Sequence, residues 1–199
     1  MGFGKGAVGV DFNHDSIDLV VTNDQGQLKD EKTINCTALT SARKEKRGWM
    51  IGNYAEKVVN YAKYWHRGLV IERLEDAARK RSNQHKFTHK KFLETVKRRD
   101  EREGIEIREV NPAYTSVIRK HGYSSYYPIT IHQVAALVVA RRGQDLSEHL
   151  RGLKTPLFKA LEAGEDGEGV PDRREHSWSL WGLTLRIEPE RERVFRKTT

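Results

Sequence analysis

Three side chains far apart along the 199-residue chain, Asp11, Glu72 and His132, are of types that could do chemistry together. Asp11 closes the short apolar run Val8-Gly9-Val10, and Glu72 closes the run Leu69-Val70-Ile71. A carboxylate at the end of a buried strand is costly when unpaired, because an isolated charge is strongly disfavoured outside water. A bound cation reverses that balance. His132 follows Thr130, and Thr130 with Gln133 makes a capping-box pattern, so the imidazole falls in the first turn of a helix. The positive end of a helix disfavours an imidazolium and favours the neutral, metal-binding form. Two or three such groups can hold a pair of Mg²⁺ ions roughly 3.5–4 Å apart, one activating water and the other stabilising a leaving oxygen. Each residue also has a plainer role: Asp11 capping a turn, Glu72 pairing with Arg73, His132 satisfied on a core helix.

The elements that must position these groups are legible from period and punctuation. Ala7 to Asn13 and Ser16 to Thr22 are apolar, β-branched runs split by the polar His14-Asp15-Ser16, which reads as a hairpin. A third strand is expected around Gln27 to Ile34, after the turn residues Asn23-Asp24-Gln25-Gly26. Met1 to Gly6 is Gly-rich and expected to be loose, and Cys36 to Gly48 reads as loop. Ile51, Ala55, Val58, Val59, Ala62 and Trp65 then recur with helical spacing, with Gly68 as the stop. The apolar Leu69-Val70-Ile71 suggests a crossover strand lying parallel in a covered sheet. A basic loop leads into a helix from about Lys90 that ends at Gly104, a strand at Ile105 to Val110 and, beyond a polar turn and an aromatic segment, a helix from Thr130 to Gly143. Strand, strand, strand, helix, strand, helix, strand, helix is the order of the RNase H-like fold, in which the first strand lies beside the fourth. The fold class is therefore α/β, an RNase H-like mixed sheet flanked by helices.

Composition narrows the partner. The net charge is +8 and the sequence pI about 9.6. Between Arg79 and Arg102 there are ten Lys or Arg against three acids. Such clustering is the electrostatic footprint of a nucleic-acid binder. Arg79, Lys80, Arg81, Lys86, Lys90 and Lys91 are the candidate phosphate contacts, with Asn111 and Thr115 in the polar turn. Those two residues serve equally to hydrogen-bond their own turn, and the basic stretch serves equally as a solvated helix face. The single cysteine, Cys36, excludes a disulfide frame and a cysteine-based zinc site within this chain. No apolar run approaches the roughly 20 residues of a membrane span. A reducing, cytoplasmic location at the nucleoid fits a DNA partner.

The motifs GVDFN, LVIERLED, VNPAYTS and the helix start HQVAAL, in that order over about Ala7 to Gly143, resemble the RuvC-like nuclease domain of TnpB-type proteins. These are transposon-associated, RNA-guided DNA endonucleases related to type V CRISPR effectors. The resemblance implies that Asp11 and Glu72 match two of the family's three metal-binding acids and that His132 stands where the third acid would be. It implies Mg²⁺ or Mn²⁺ as cofactor, DNA as substrate, and a guide RNA or a separate RNA-binding chain as partner. The chain departs from the pattern at His132, in lacking the zinc ribbon between Ser116 and His132, and in lacking the family's large guide-binding N-terminal part. A catalytically reduced nucleic-acid binder and a stand-alone junction-resolving nuclease are the other readings of the same residues. The expected organisation is a nuclease domain over 1–143 and an extension over 144–199. That extension would hold a helix within 150–163, a linker at 164–175, a Trp-containing strand at 178–187 and a charged tail.

Overall fold

The structure, a computed structural model, describes residues 1–73, 83–111, 115–118 and 127–146. The features expected over 150–199, and most of the basic loop before the second long helix, lie outside the described residues. Met1–Ala113 and Ile129–Leu146 form one compact unit, which holds every described strand. The short helix α4 (Thr115–Ile118) belongs to a second unit.

The first unit is built on a five-stranded sheet in the order β3-β2-β1-β4-β5. Strands β1 (Ala7–Phe12), β2 (Ser16–Thr22) and β3 (Leu28–Asn35) form an antiparallel meander, and β4 (Gly68–Glu72) lies parallel to β1. β5 (Ile107–Val110) lies parallel to β4. The adjacency of first and fourth strands that the element order predicts is thus present, and the fold is RNase H-like.

Alternation along the strands sorts side chains between two faces. Val8, Val10 and Phe12 of β1, Ile17, Leu19 and Val21 of β2, and Leu69 and Ile71 of β4 point to one face. There they pack with Ile51, Ala55, Val58, Val59 and Ala62 of α2 (Lys44–Trp65) and with Phe92, Leu93 and Val96 of α3 (Asn83–Glu103). Ala7 and Val70 point to the other face, where Val139 and Ala140 of α5 (Ile131–Gly143) cover them. The α5 layer sits unusually close to the sheet. A Cβ placed on Gly9 would fall 2.0 Å from the carbonyl oxygen of Ala136 and 2.8 Å from the Ala140 side chain. The glycine and the alanines Ala136 and Ala140 therefore let helix backbone rest almost directly on strand backbone.

α5 starts with the expected capping box. Thr130 Oγ1 accepts from the Gln133 amide at 3.2 Å, and Gln133 Oε1 accepts from the Thr130 amide at 2.8 Å. The helix then runs down the sheet from Asp11 past Gly9 to Val70, where Gly143 abuts the valine. α2 leads into the start of β4, and the early turns of α3 and the first turn of α5 lie at the edge where β1 finishes, through His89 stacked on Phe12 and His132 beside Asp11. Ligands of open α/β sheets gather at such an edge.

Several local expectations are corrected. α2 begins at Lys44, not near Trp49, and a short helix α1 (Ala38–Ser41) interrupts the expected loop. The opening turn Lys44-Glu45-Lys46-Arg47 carries no apolar residue, so periodicity is silent there. α3 begins at Asn83 for the same reason. α2 stops at His66, in the left-handed region at φ 52°, with its amide reaching the carbonyls of Ala62 and Lys63; Gly68 instead opens β4. Gly68 is small because the Phe3 ring lies against it, within 2.7 Å of where a Cβ would stand. The N-terminus is accordingly held rather than loose: Gly68 donates to the Gly2 carbonyl at 2.9 Å, and the Arg108 guanidinium lies 4.6 Å over the Phe3 ring. Among the described residues no helix is long and apolar enough to cross a membrane.

Two measurements test this packing. Gly9→Ala forces backbone apart rather than a side chain, and should lower urea-unfolding stability by about 1–3 kcal/mol. Asp100, near the end of α3, is 1% exposed, and neither carboxylate oxygen has a hydrogen-bond partner among the described residues. Burial, and then the nearby Glu103 carboxylate, push its carboxyl up to about 7. A folded pKa above the unfolded value favours folding below about pH 4 and erodes it as pH rises toward 7. Asp100→Asn should therefore stabilise the protein more at pH 7.5 than at pH 4, by about 1 kcal/mol or more in paired denaturation curves.

Candidate metal centre

Asp11 is the fifth residue of β1 and faces α5 with Ala7 and Gly9. The hairpin that follows is tight, with the Asn13 amide donating to the Ser16 carbonyl at 2.8 Å. That closure sets a register in which Asp11 lies directly opposite Asp18, and Phe12 opposite Ile17. Asp18 alternates with Ile17 and Leu19, so it too faces α5. Two buried carboxylates, 6% and 2% exposed, thus stand side by side across one strand pair. Like charges directly opposite one another are destabilising.

Hydrogen-bond donors converge on the pair. Asn13 Nδ2 donates to Asp11 Oδ2 at 2.8 Å and to Asp18 Oδ2 at 3.3 Å, bridging the two. Ser16 Oγ donates to Asp18 Oδ2 at 2.7 Å, and Thr33 Oγ1 to Asp18 Oδ1 at 2.6 Å. Gln133 Nε2 in turn donates to Thr33 Oγ1 at 3.3 Å, tying the start of α5 to the edge strand. Among the described residues no Lys or Arg lies within ion-pair distance of either aspartate. The nearest cationic candidate is His132, whose Nδ1 is 3.5 Å from Asp11 Oδ2.

Asp11, Asp18 and His132 each offer a ligand atom within 4.8 Å of the others. Two oxygens on opposite sides of one Mg²⁺, bound at about 2.1 Å each, stand about 4.2 Å apart, and Ca²⁺ spreads them further. The donor set thus fits a single divalent cation with small side-chain adjustments. Two buried carboxylates with no Lys or Arg within ion-pair distance among the described residues fit it on electrostatic grounds as well.

Glu72 stands one strand away. The parallel register ends with Gly9 opposite Val70, and Glu72 closes β4 two residues beyond that last pair, on the same face of its strand as Val70. Its carboxylate is half-buried and is not in the group of three ligand atoms just described. Of the candidate phosphate contacts, Lys90 and Lys91 lie on the early turns of α3, the first exposed and the second half-buried. Asn111 is exposed just beyond β5, and its carbonyl accepts from Arg142 Nη1 at 2.5 Å. Thr115 is buried in α4 of the second unit. Arg79, Lys80 and Arg81 lie outside the described residues, as does the side chain of Lys86. Sequence reasoning missed Asp18. A two-residue hairpin loop pairing Asn13 with Ser16 already places 11 opposite 18, so the register carried the signal.

No model of a known protein family matches the sequence, and no curated protein matches it either. The fold does match solved structures. RuvC of Thermus thermophilus in complex with a Holliday junction substrate aligns with a TM-score of 0.51 at 12% identity, over 67% of this chain and 88% of that one. A second structure of Thermus thermophilus RuvC aligns at 0.50 and 13% identity, over 67% of this chain and 90% of that one. Cas12f1, solved with its sgRNA and target DNA, aligns at 0.51 and 16% identity over 67% of this chain but 49% of that chain, so the present chain spans about half of its length. At these identities the likeness is one of fold, and the fold is RuvC-like.

If the three ligand atoms form a cation site, Asp18→Asn should weaken Mn²⁺ binding at least tenfold in isothermal titration. Asn13→Ala should weaken it less, because it removes an orienting donor and no ligand. Unchanged Mn²⁺ affinity in Asp18→Asn would remove this aspartate from the site.

Proposed function

We propose that the chain is a divalent-metal-dependent endonuclease of RuvC-like type that hydrolyses DNA phosphodiester bonds. The single observation that carries the reading is the buried cross-strand pair Asp11 and Asp18, without a Lys or Arg partner among the described residues and with His132 alongside. The RuvC-like fold supports it, as does the basic balance of the chain. Asp11, Asp18 and His132 would hold the cation, with Glu72 joining from the neighbouring strand. When bound, Mg²⁺ or Mn²⁺ supplies Lewis acidity and a water of lowered pKa, and a second ion about 3.5–4 Å away would complete a two-metal arrangement. Asn13, Ser16 and Thr33 keep the aspartate oxygens oriented for that task. His132, a nitrogen ligand, tilts the site toward Mn²⁺ relative to an all-carboxylate set.

The finer parts of the proposal follow the motifs. Kinship with TnpB-type proteins rests on GVDFN, LVIERLED, VNPAYTS and HQVAAL, and brings with it a guide RNA or a separate RNA-binding chain as partner. Residues 1–143 would be the nuclease domain and 144–199 an appendage. Arg79, Lys80, Arg81, Lys86, Lys90, Lys91, Asn111 and Thr115 would contact the phosphate backbone, where cations position a strand without reading its sequence. A nucleoid location would follow from a DNA substrate.

Asp11→Ala should abolish Mn²⁺- and Mg²⁺-dependent cleavage of single- and double-stranded DNA while leaving DNA binding nearly intact, and EDTA should do the same to the wild type. Cleavage by Asp11→Ala at the wild-type rate would end the nuclease reading in favour of a reduced, binding-only protein. One observation favours a second reading, a junction-resolving nuclease: the RuvC solved with a Holliday junction is matched over 88% of its length. That reading requires a dimer in solution and faster cleavage of a four-way junction than of a linear duplex.

A further inference from the structure

The outer seam between α2 and α3 carries features that the metal centre does not use. Trp49 and Phe87 are 68% and 58% exposed, large apolar surfaces held open to solvent on regular helices. Both border Lys91: Phe87 lies one helical turn before it on α3, and Trp49 follows Gly48, the α2 residue that its ammonium approaches. The α3 ladder Phe87–Lys91–Thr95–Arg99 borders the α2 ladder Glu45–Trp49–Gly52–Glu56. Arg99 lies 3.6 Å from the Glu56 carboxylate, and its Nη2 would be 3.9 Å from a Cβ on Gly52. One to two turns earlier, Lys91 Nζ would be 3.1 Å from a Cβ on Gly48, the residue next to Trp49. The glycine leaves a shallow floor on which the ammonium rests. Among the described residues no carboxylate lies within ion-pair distance of Lys91. Exposed Lys44 and Lys46 lie on the same first turns of α2 as Glu45, while the acids Glu56 and Glu94 are paired with Arg99 and Lys90.

The seam opens at the edge of the sheet that carries the aspartates. Phe12, next to Asp11, stacks on His89 at 5.2 Å and on Phe92 at 4.7 Å, which fixes the first turns of α3 to the end of β1. We propose that the patch of Trp49, Phe87 and Lys91 is a docking surface for an unpaired strand of DNA. Flat aromatic faces beside an uncommitted cation suit a single strand, whose bases are free to stack while its phosphates meet the ammonium. A duplex offers the phosphates but keeps its base faces covered. The proposal rests on the nuclease reading only in naming the strand as DNA.

The test uses the full chain in EDTA, with fluorescence anisotropy of labelled dT20, the corresponding 20-base-pair duplex and rU20. Trp49→Ala and Phe87→Ala should each weaken dT20 binding roughly tenfold and duplex binding little. Lys91→Gln should reduce the slope of log affinity against log salt for dT20 by about 0.7. Tyr64→Ala, an equally exposed aromatic at the far end of α2, should leave binding unchanged. Circular dichroism melts should match the wild type, since the replaced rings are exposed. Wild-type dT20 affinity in the aromatic variants overturns the proposal, as does an equal loss in Tyr64→Ala or a preference for rU20 above tenfold. Protection of Trp49 from acrylamide quenching in the free protein overturns it too, because another part of this chain would then cover the patch. Binding without metal is independent of cleavage, so a failed cleavage assay with patch-dependent binding sinks the nuclease reading and leaves this one standing.

Discussion

Two negative charges facing one another across a buried pair of strands are the constraint around which this molecule is arranged. Asp11 and Asp18 are among the most buried polar groups of the described residues, and antiparallel pairing holds them opposite one another. Such an arrangement is tolerated only when surrounding dipoles offset the repulsion or a cation is drawn in. Asn13, Ser16 and Thr33 provide the dipoles, and Gln133 braces one of them from the neighbouring helix. The whole polar cluster is therefore a property of one hairpin, one edge strand and one helix start.

The architecture delivers the imidazole to that cluster through close backbone packing. Without a side chain at Gly9, and with alanines at 136 and 140, α5 lies flat on β1 and its first turn reaches Asp11. The capping box ends the preceding backbone cleanly, so His132 is presented from a defined turn rather than from a loop. On the opposite face, large aliphatic and aromatic side chains supply the conventional core. On the α5 face, small residues at the helix–strand contact leave polar groups room to gather at the edge.

Much of this was legible in the sequence. The apolar runs ending in Asp11 and Glu72, the meander, the crossover to β4 and the capping box at Thr130 all follow from local chemistry. Asp18 was not singled out, because an isolated aspartate within a β-branched run has no local signature; only pairing gives it a partner. Glu72 was expected beside Asp11, but the paired register of β1 and β4 ends at Gly9 and Val70, and strand register does not determine how far a glutamate side chain reaches. The starts of α2 and α3 were hidden because exposed helical turns made wholly of polar residues have no period. His66 as the α2 terminus was hidden too, because few residues without glycine's freedom take a left-handed turn.

The tight turn between β1 and β2 has one more consequence. Asp11 and Asp18 are only seven positions apart, so the loop that brings them together is among the least costly in entropy that a chain can close. His132 must await a contact spanning more than a hundred residues. Two of the three candidate ligands therefore depend only on closing one hairpin, and the third depends on a contact across the length of the domain.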